Sequence, residues 1–130
     1  APDDAAALVE VCRARQRYTA AVRFATQAAP AARYDAARAA AQAADGRGDG
    51  AGLPAKARAS FRRQALDWLR ADLAARPASR THLQHARTEP DLAGLRGPDA
   101  LARLPGPERD AWRQLWADLD SSLRATAPKP

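Results

Sequence analysis

Residues 61–74 read FRRQALDWLRADLA, and their spacing decides the fold class. At 100° per residue, Phe61, Ala65, Leu66, Trp68, Leu69 and Leu73 fall on one arc of about 160°, with Arg63, Asp67 and Arg70 opposite. The stretch is therefore an amphipathic helix with one buried side. Arg62 and Asp72 interrupt the apolar arc, so its edges must reach water or find polar partners. No residue in it has the character of a nucleophile.

Composition extends that reading to the whole chain. Of 130 residues, 36 are alanine. Alanine is the best helix former but buries little area, so local helicity is strong while the stock of large core side chains is small. Isoleucine is absent and β-branched residues are scarce, which argues against sheet. All-α is the expected fold class. The length suits one domain or a piece of a repeat array. No apolar run reaches membrane-spanning length, and Asp3 and Asp4 stand where a signal peptide would be basic. The chain opens on Ala1 and contains no methionine, as expected of a processed product or a piece of something longer. A single cysteine, Cys12, excludes an internal disulfide and fits a reducing cytoplasm.

The net charge is +6, concentrated towards the amino-terminal side: residues 5–88 carry 15 basic and 6 acidic side chains. Such a balance attracts an acidic partner or nucleic acid. However, 19 of the 21 basic residues are arginine, which together with the alanine and proline content has the look of GC-rich coding bias. Nucleic acid is accordingly not the expected partner.

Along the chain, Asp3 or Asp4 is expected to cap a first helix carrying Leu8, Val11 and Cys12 and running to about residue 16. A second is expected over residues 18 to about 29, stopped by Pro30. A third covers residues 31–44, with Tyr34 its only large apolar side chain. The segment DGRGDGAGLP, residues 45–54, is a loop by its four glycines and proline. Pro54 suits the first turn of a fourth helix ending near Arg76. Beyond Pro77 the chain breaks into short pieces. Ser79 is placed to cap a helix through Arg87, a turn follows over residues 90–95, and Gly97-Pro98-Asp99 opens a helix ending before Pro105. Gly106-Pro107 then opens the last long helix, to about residue 125, with Trp112, Leu115, Trp116, Leu119 and Leu123 on an arc of only about 100°. Two parts are expected to pack as one domain: helical hairpins over residues 1–76, with the loop at 45–54, and short helices plus a capping helix over residues 77–130.

Residues 8–30, LVEVCRARQRYTAAVRFATQAAP, have the phrasing of a tetratricopeptide repeat, a helix–turn–helix unit of about 34 residues. Ala21 and Ala28 stand where that repeat uses small residues, and Tyr18 where it opens its second helix with an aromatic. The usual turn glycine is missing: the turn reads Arg15-Gln16-Arg17. Two further blocks, the first in two parts, resemble the carboxy-terminal helical region of large bacterial multidomain serine/threonine kinases and tetratricopeptide-repeat proteins. They are RYDAARAAAQAADGRGDG (33–50) followed by FRRQALDWLRADLA, and EPDLAGLRGPDALARLPGPERDAWRQLWADLDSSL (89–123). The resemblance implies a cytoplasmic bacterial module for protein–protein interaction or scaffolding, attached to signalling domains. The chain departs from that pattern at AARPASRTHLQH (74–85), which is shorter than the related helical connection. No Gly-rich phosphate loop, HRD or DFG sequence is present.

Candidate chemistry is sparse. His82 and His85 lie one turn apart, and imidazole suits zinc; a site needs a third ligand, for which Cys12, Asp72 and Glu89 are the conceivable donors by type. A divalent metal there would make the alternative function a small metal-dependent hydrolase acting on activated esters or phosphoesters. The bland reading is that both histidines face solvent. Asp45, Asp49 and Gly50 echo a calcium loop, but Arg47 and Lys56 stand where carboxylates belong, so that reading fails. Arg47-Gly48-Asp49 is an RGD tripeptide of a kind that chance supplies in this composition. Cys12 is read as a small core residue and the tryptophans as core packing.

The leading expectation is a non-enzymatic interaction module that needs no cofactor and binds a protein or acidic peptide. Arg17, Arg23, Arg33 and Arg38 are the expected contacts. The stripe on the last helix is expected to close the apolar face of a preceding repeat. Apolar faces left without neighbouring repeats would favour a homodimer.

Overall fold

A computed structural model describes residues 2–27, 32–76 and 79–127, and among these every regular element is a helix. The elements are α1 (Pro2–Ala14), α2 (Tyr18–Ala25), α3 (Arg33–Ala44), α4 (Ala55–Ala75), α5 (Arg80–Thr88), α6 (Pro98–Ala102) and α7 (Gly106–Ala125). Short 3-10 turns cover Gly48–Gly50 and Pro90–Leu95. No described helix is long and apolar enough to cross a membrane. The chain divides into two compact units, Ala1–Asp72 and Leu73–Pro130, with the division falling inside α4.

In the first unit α1 packs on α2, and α2 on α3. Alanine dictates how closely. Ala36, Ala37, Ala39, Ala40, Ala41, Ala43 and Ala44 are all buried, so α3 is enclosed nearly all round its circumference. Methyl side chains let neighbouring backbones approach, and the sector left to Asp35 and Arg38 stays polar. Val9, Cys12, Tyr18 and Val22 supply the larger groups.

The α1–α2 turn explains how the chain reverses without a glycine. Arg17 N–H donates to Cys12 O at 2.7 Å and Gln16 N–H to Arg13 O at 3.0 Å, the paired bonds of a Schellman helix end. Gln16 takes the left-handed position normally given to glycine, at φ +58°. A residue with a Cβ is disfavoured there by about 1–2 kcal/mol. The end of α3 repeats the motif with Gly46 at φ +78°, where Arg47 N–H reaches Gln42 O at 3.1 Å.

α2 has only eight residues and no acidic residue in its first turn, and its N-cap residue, Arg17, makes no side-chain capping bond. The cap comes from elsewhere. Asp49 accepts from Thr19 N at 2.9 Å and from Thr19 Oγ1 at 2.6 Å, across 30 residues of sequence. Asp49 N–H donates back to Gln16 O at 3.1 Å. The approach is so close that a Cβ on Gly48 would sit 1.9 Å from Gln16 O, and one on Gly50 would sit 2.5 Å from Ala43 O. The loop is therefore a tertiary clasp, and the RGD carboxylate is committed to it. Burial pushes the Asp49 carboxyl up. Bonds from the Thr19 hydroxyl and from the N–H groups of Thr19, Ala20 and Tyr18 outweigh this and hold it below its ordinary 3.8.

In the second unit α7 buries Trp112, Leu115, Trp116 and Leu119 as its stripe requires. The two indoles stack with centroids 6.2 Å apart. Trp116 Nε1 donates to Leu95 O at 2.8 Å, fixing the Pro90–Leu95 turn against α7. Arg80 Nη1 donates to Leu123 O at 2.6 Å, and Arg87 pairs with Asp120 at 3.0 Å, so α5 is tied to α7 at two levels.

Several local expectations need correction. α2 ends at Ala25, earlier than the periodicity places it, because Thr26 and Gln27 already turn; the expected stop at Pro30 lies outside the described residues. α1 opens at Pro2, which puts Asp4 inside the helix, while the Asp3 side chain is not among those described. Ser79 precedes α5 but makes no side-chain capping bond; its carbonyl instead accepts from Leu83 N–H at 2.9 Å. On α4, Trp68 is half-buried, whereas Asp72, which interrupts the apolar arc, is only 2% exposed.

Replacing Asp49 with alanine removes the cap of α2 and is expected to cost about 1 kcal/mol. Because folding lowers this carboxyl, its contribution is fully present above 3.8 and fades as pH falls through the lowered value. Thermal melts of wild type and Asp49→Ala from neutral pH downward should therefore converge in acid. A constant gap would contradict the cap.

Candidate partner-binding surface

Where α1, α2 and α3 meet, a hollow of roughly 180 Å³ is lined by Glu10, Arg13, Ala14, Tyr18 and Gln42. Small-molecule sites usually enclose about 300–1,000 Å³, so this one has room for a single side chain and not for a cofactor. Helix geometry builds it: Glu10, Arg13 and Ala14 sit within one turn of α1, and Tyr18 opens α2 just after the reversal. Arg13 dominates the charge. Its Nη1 lies 2.9 Å from Glu10 Oε1 and 3.7 Å from Asp35 Oδ1. Asp35 also meets Arg38 at 3.1 Å, so a chain of alternating charge runs from Glu10 through Arg13 and Asp35 to Arg38. The Arg38 guanidinium lies 5.8 Å from the Tyr34 ring centroid, a cation–π distance.

The four arginines expected to meet a partner fall into different surroundings. Arg17 and Arg23 are exposed, Arg33 is half-buried at the start of α3, and Arg38 is held by Asp35 and Tyr34. At 100° per residue Arg33 and Arg38 leave α3 about 140° apart, so they do not share one face. Arg13 is the residue that sequence reasoning passed over. Its spacing of three from Glu10 marks an ordinary helix-surface pair, and only the fold shows Asp35 arriving from α3.

The imidazole pair has a different environment. His82 and His85 lie on α5, and His85 Nε2 is 3.2 Å from Glu89 Oε2. Glu89 is buried, and its other carboxylate oxygen accepts from Asp91 N–H at 3.4 Å, capping the Pro90–Leu95 turn. Its carbonyl accepts from Arg96 Nη1 at 3.0 Å. Glu89 thus organises the turn that carries Leu92 and Leu95 into the core. Among the described residues, no group of three or more His, Cys, Asp or Glu side chains is placed to hold a metal ion. Cys12 is buried on α1.

Comparison of the chain with protein-family models, curated proteins and solved structures returned no match.

The division of labour between His85 and Glu89 has a measurable consequence. Glu89→Ala is expected to destabilise the protein by about 1 kcal/mol through loss of the turn cap. His85→Ala, at a side chain that is 62% exposed, should change stability by less than about 0.5 kcal/mol. Chemical denaturation of the two variants tests this, and equal effects would contradict it.

Proposed function

We propose that this chain is a helical protein-interaction module of tetratricopeptide-like derivation whose amino-terminal unit receives an acidic segment of a partner protein. The observation that carries the reading is the Arg13 hollow. It is the size of one side chain, Arg13 stands in its lining beside Glu10, and the neighbouring α1–α2 stretch is basic: residues 11–34 hold five arginines and no acidic residue. Support for the repeat-like derivation comes from the α1–α2 hairpin with its three-residue reversal, followed by an alanine-faced α3. The bacterial, cytoplasmic setting and the parent signalling protein rest on sequence resemblance alone.

The proposed mechanism is exchange of carboxylates. Glu10 holds Arg13 from the rim with a side chain that is 59% exposed, so it gives way at little cost. A carboxylate from the partner takes its place on Arg13, with Arg17 and Arg23 drawing the acidic segment in from solution. Arg33 and Arg38 are secondary contacts, since Arg38 already neutralises Asp35. Such binding is steered by charge and weakens as salt rises. A metal-dependent hydrolase is the other reading of the sequence; it needs a third ligand beside His82 and His85, and no described cluster provides one.

The test is fluorescence anisotropy with a labelled glutamate-rich peptide and its glutamine counterpart. The glutamate peptide should bind selectively, lose affinity with salt, and bind about tenfold more weakly to Arg17→Glu/Arg23→Glu. Glu10→Gln should bind it more tightly, and chelator should change nothing. Equal binding of both peptides, or an ester-hydrolysing activity lost with chelator or His82→Ala, would overturn the proposal.

A further inference from the structure

The largest apolar side chains left in solvent both belong to α1: Leu8 is 41% exposed and Val11 49% exposed. They do not stand alone. At 100° per residue Asp4, Leu8, Val11 and Arg15 fall within about 60° of arc. All four are exposed, and the Arg15 N–H bond to Val11 O at 3.1 Å keeps Arg15 on the helical path just past the end of α1. Exposed Ala7 flanks the stripe and leaves room for a close neighbour. Ala5, Val9 and Cys12, centred about 100° round α1 from the stripe, turn into the core, while the stripe itself faces out.

The order along the stripe is acid, apolar, apolar, base, and that order is self-complementary. Two antiparallel copies of α1 related by a dyad between Val9 and Glu10 place Leu8 against the second copy's Val11. The same operation sets Asp4 beside the second copy's Arg15, twice over. A two-fold axis requires this reciprocity of any isologous contact, and few helix faces satisfy it in both apolarity and charge. The antiparallel arrangement also sets the two helix dipoles against each other.

We infer that α1 is a self-association surface on which a second copy of this chain docks through the stripe Asp4, Leu8, Val11 and Arg15. The inference is independent of the acidic-peptide reading, because its apolar pair faces away from the hollow's Glu10 and Arg13 by more than about 100° of helix arc. A 13-residue helix pair buries far less than the roughly 1,600 Å² of a standard interface, so the dimer is weak, with half-association on the order of 0.1–1 mM. A parent chain bearing several modules would strengthen it by linkage.

Sedimentation equilibrium from ~0.02 to ~1 mM tests the inference on the chain as it stands, with circular dichroism as the fold control. Wild type should show concentration-dependent dimerisation, and Val11→Gln should weaken it about tenfold or more while still binding the glutamate-rich peptide as wild type does. Asp4→Arg and Arg15→Asp should each fail to self-associate, because each sets like charges opposite one another. Their equimolar mixture should dimerise again, a rescue that misfolded variants cannot produce. Monomer at every concentration, association that survives Val11→Gln, or a mixture no different from its components would overturn the inference.

Discussion

The carboxylate of Asp49 on the first turn of α2 is the contact on which the amino-terminal unit depends. α2 is short, lies between α1 and α3, and brings no cap of its own. An eight-residue helix is well below the length at which helices persist in water, so it exists only through packing and capping supplied by the fold. The clasp supplies both. Asp49 satisfies Thr19, its own N–H returns to Gln16 O, and the 3-10 turn at Gly48–Gly50 presses its backbone against the ends of α1 and α3. Two glycines make the approach possible, and neither tolerates a Cβ without displacement of backbone.

This dependence follows from the use of alanine. Interdigitating large side chains fix helix positions by shape, but an alanine-faced helix such as α3 makes close and featureless contacts. Register must then come from polar ties at the ends of elements. The first unit has them: the Schellman ends at Gln16 and Gly46, the Asp49 clasp, and the Arg13–Asp35 link between α1 and α3. The second unit is built the other way. Trp112 and Trp116 fill its interior, and one indole N–H to Leu95 O sets the depth of the neighbouring turn. Arg87 and Arg96 lie over the Trp116 ring, 6.0 and 5.7 Å from its centroid, and the same two side chains bind Asp120 and the Glu89 carbonyl.

Much of this architecture was legible in the residues because helices carry their signal locally. The α7 stripe, the bounds of α5 and α6, and the breaks at Gly97 and Gly106 all follow from periodicity and turn chemistry within a few positions. What the sequence hid was non-local. DGRGDGAGLP reads as a loop by composition, yet nothing in it announces that Asp49 will cap a helix 30 positions earlier. Glu89 is one conceivable metal donor by its chemistry, and its capping of the Pro90–Leu95 turn shows only in the fold. Asp72 falls inside the apolar arc, and periodicity does not tell whether its carboxylate reaches water or is enclosed; it is enclosed. The hollow was invisible for the same reason, since Glu10, Arg13 and Gln42 become neighbours only when α3 docks.

The functional account inherits this construction. The proposed peptide site is formed by α1, α2 and α3 together, and the clasp sets where α2 begins. The most direct measurement is a site-resolved NMR titration of the Asp49 carboxyl in the folded protein. The account requires it to titrate below 3.8, with the Thr19 amide shift following the same curve. A carboxyl titrating at or above 3.8, with a Thr19 amide indifferent to it, would mean that the clasp does not hold α2 and that the unit is organised in some other way.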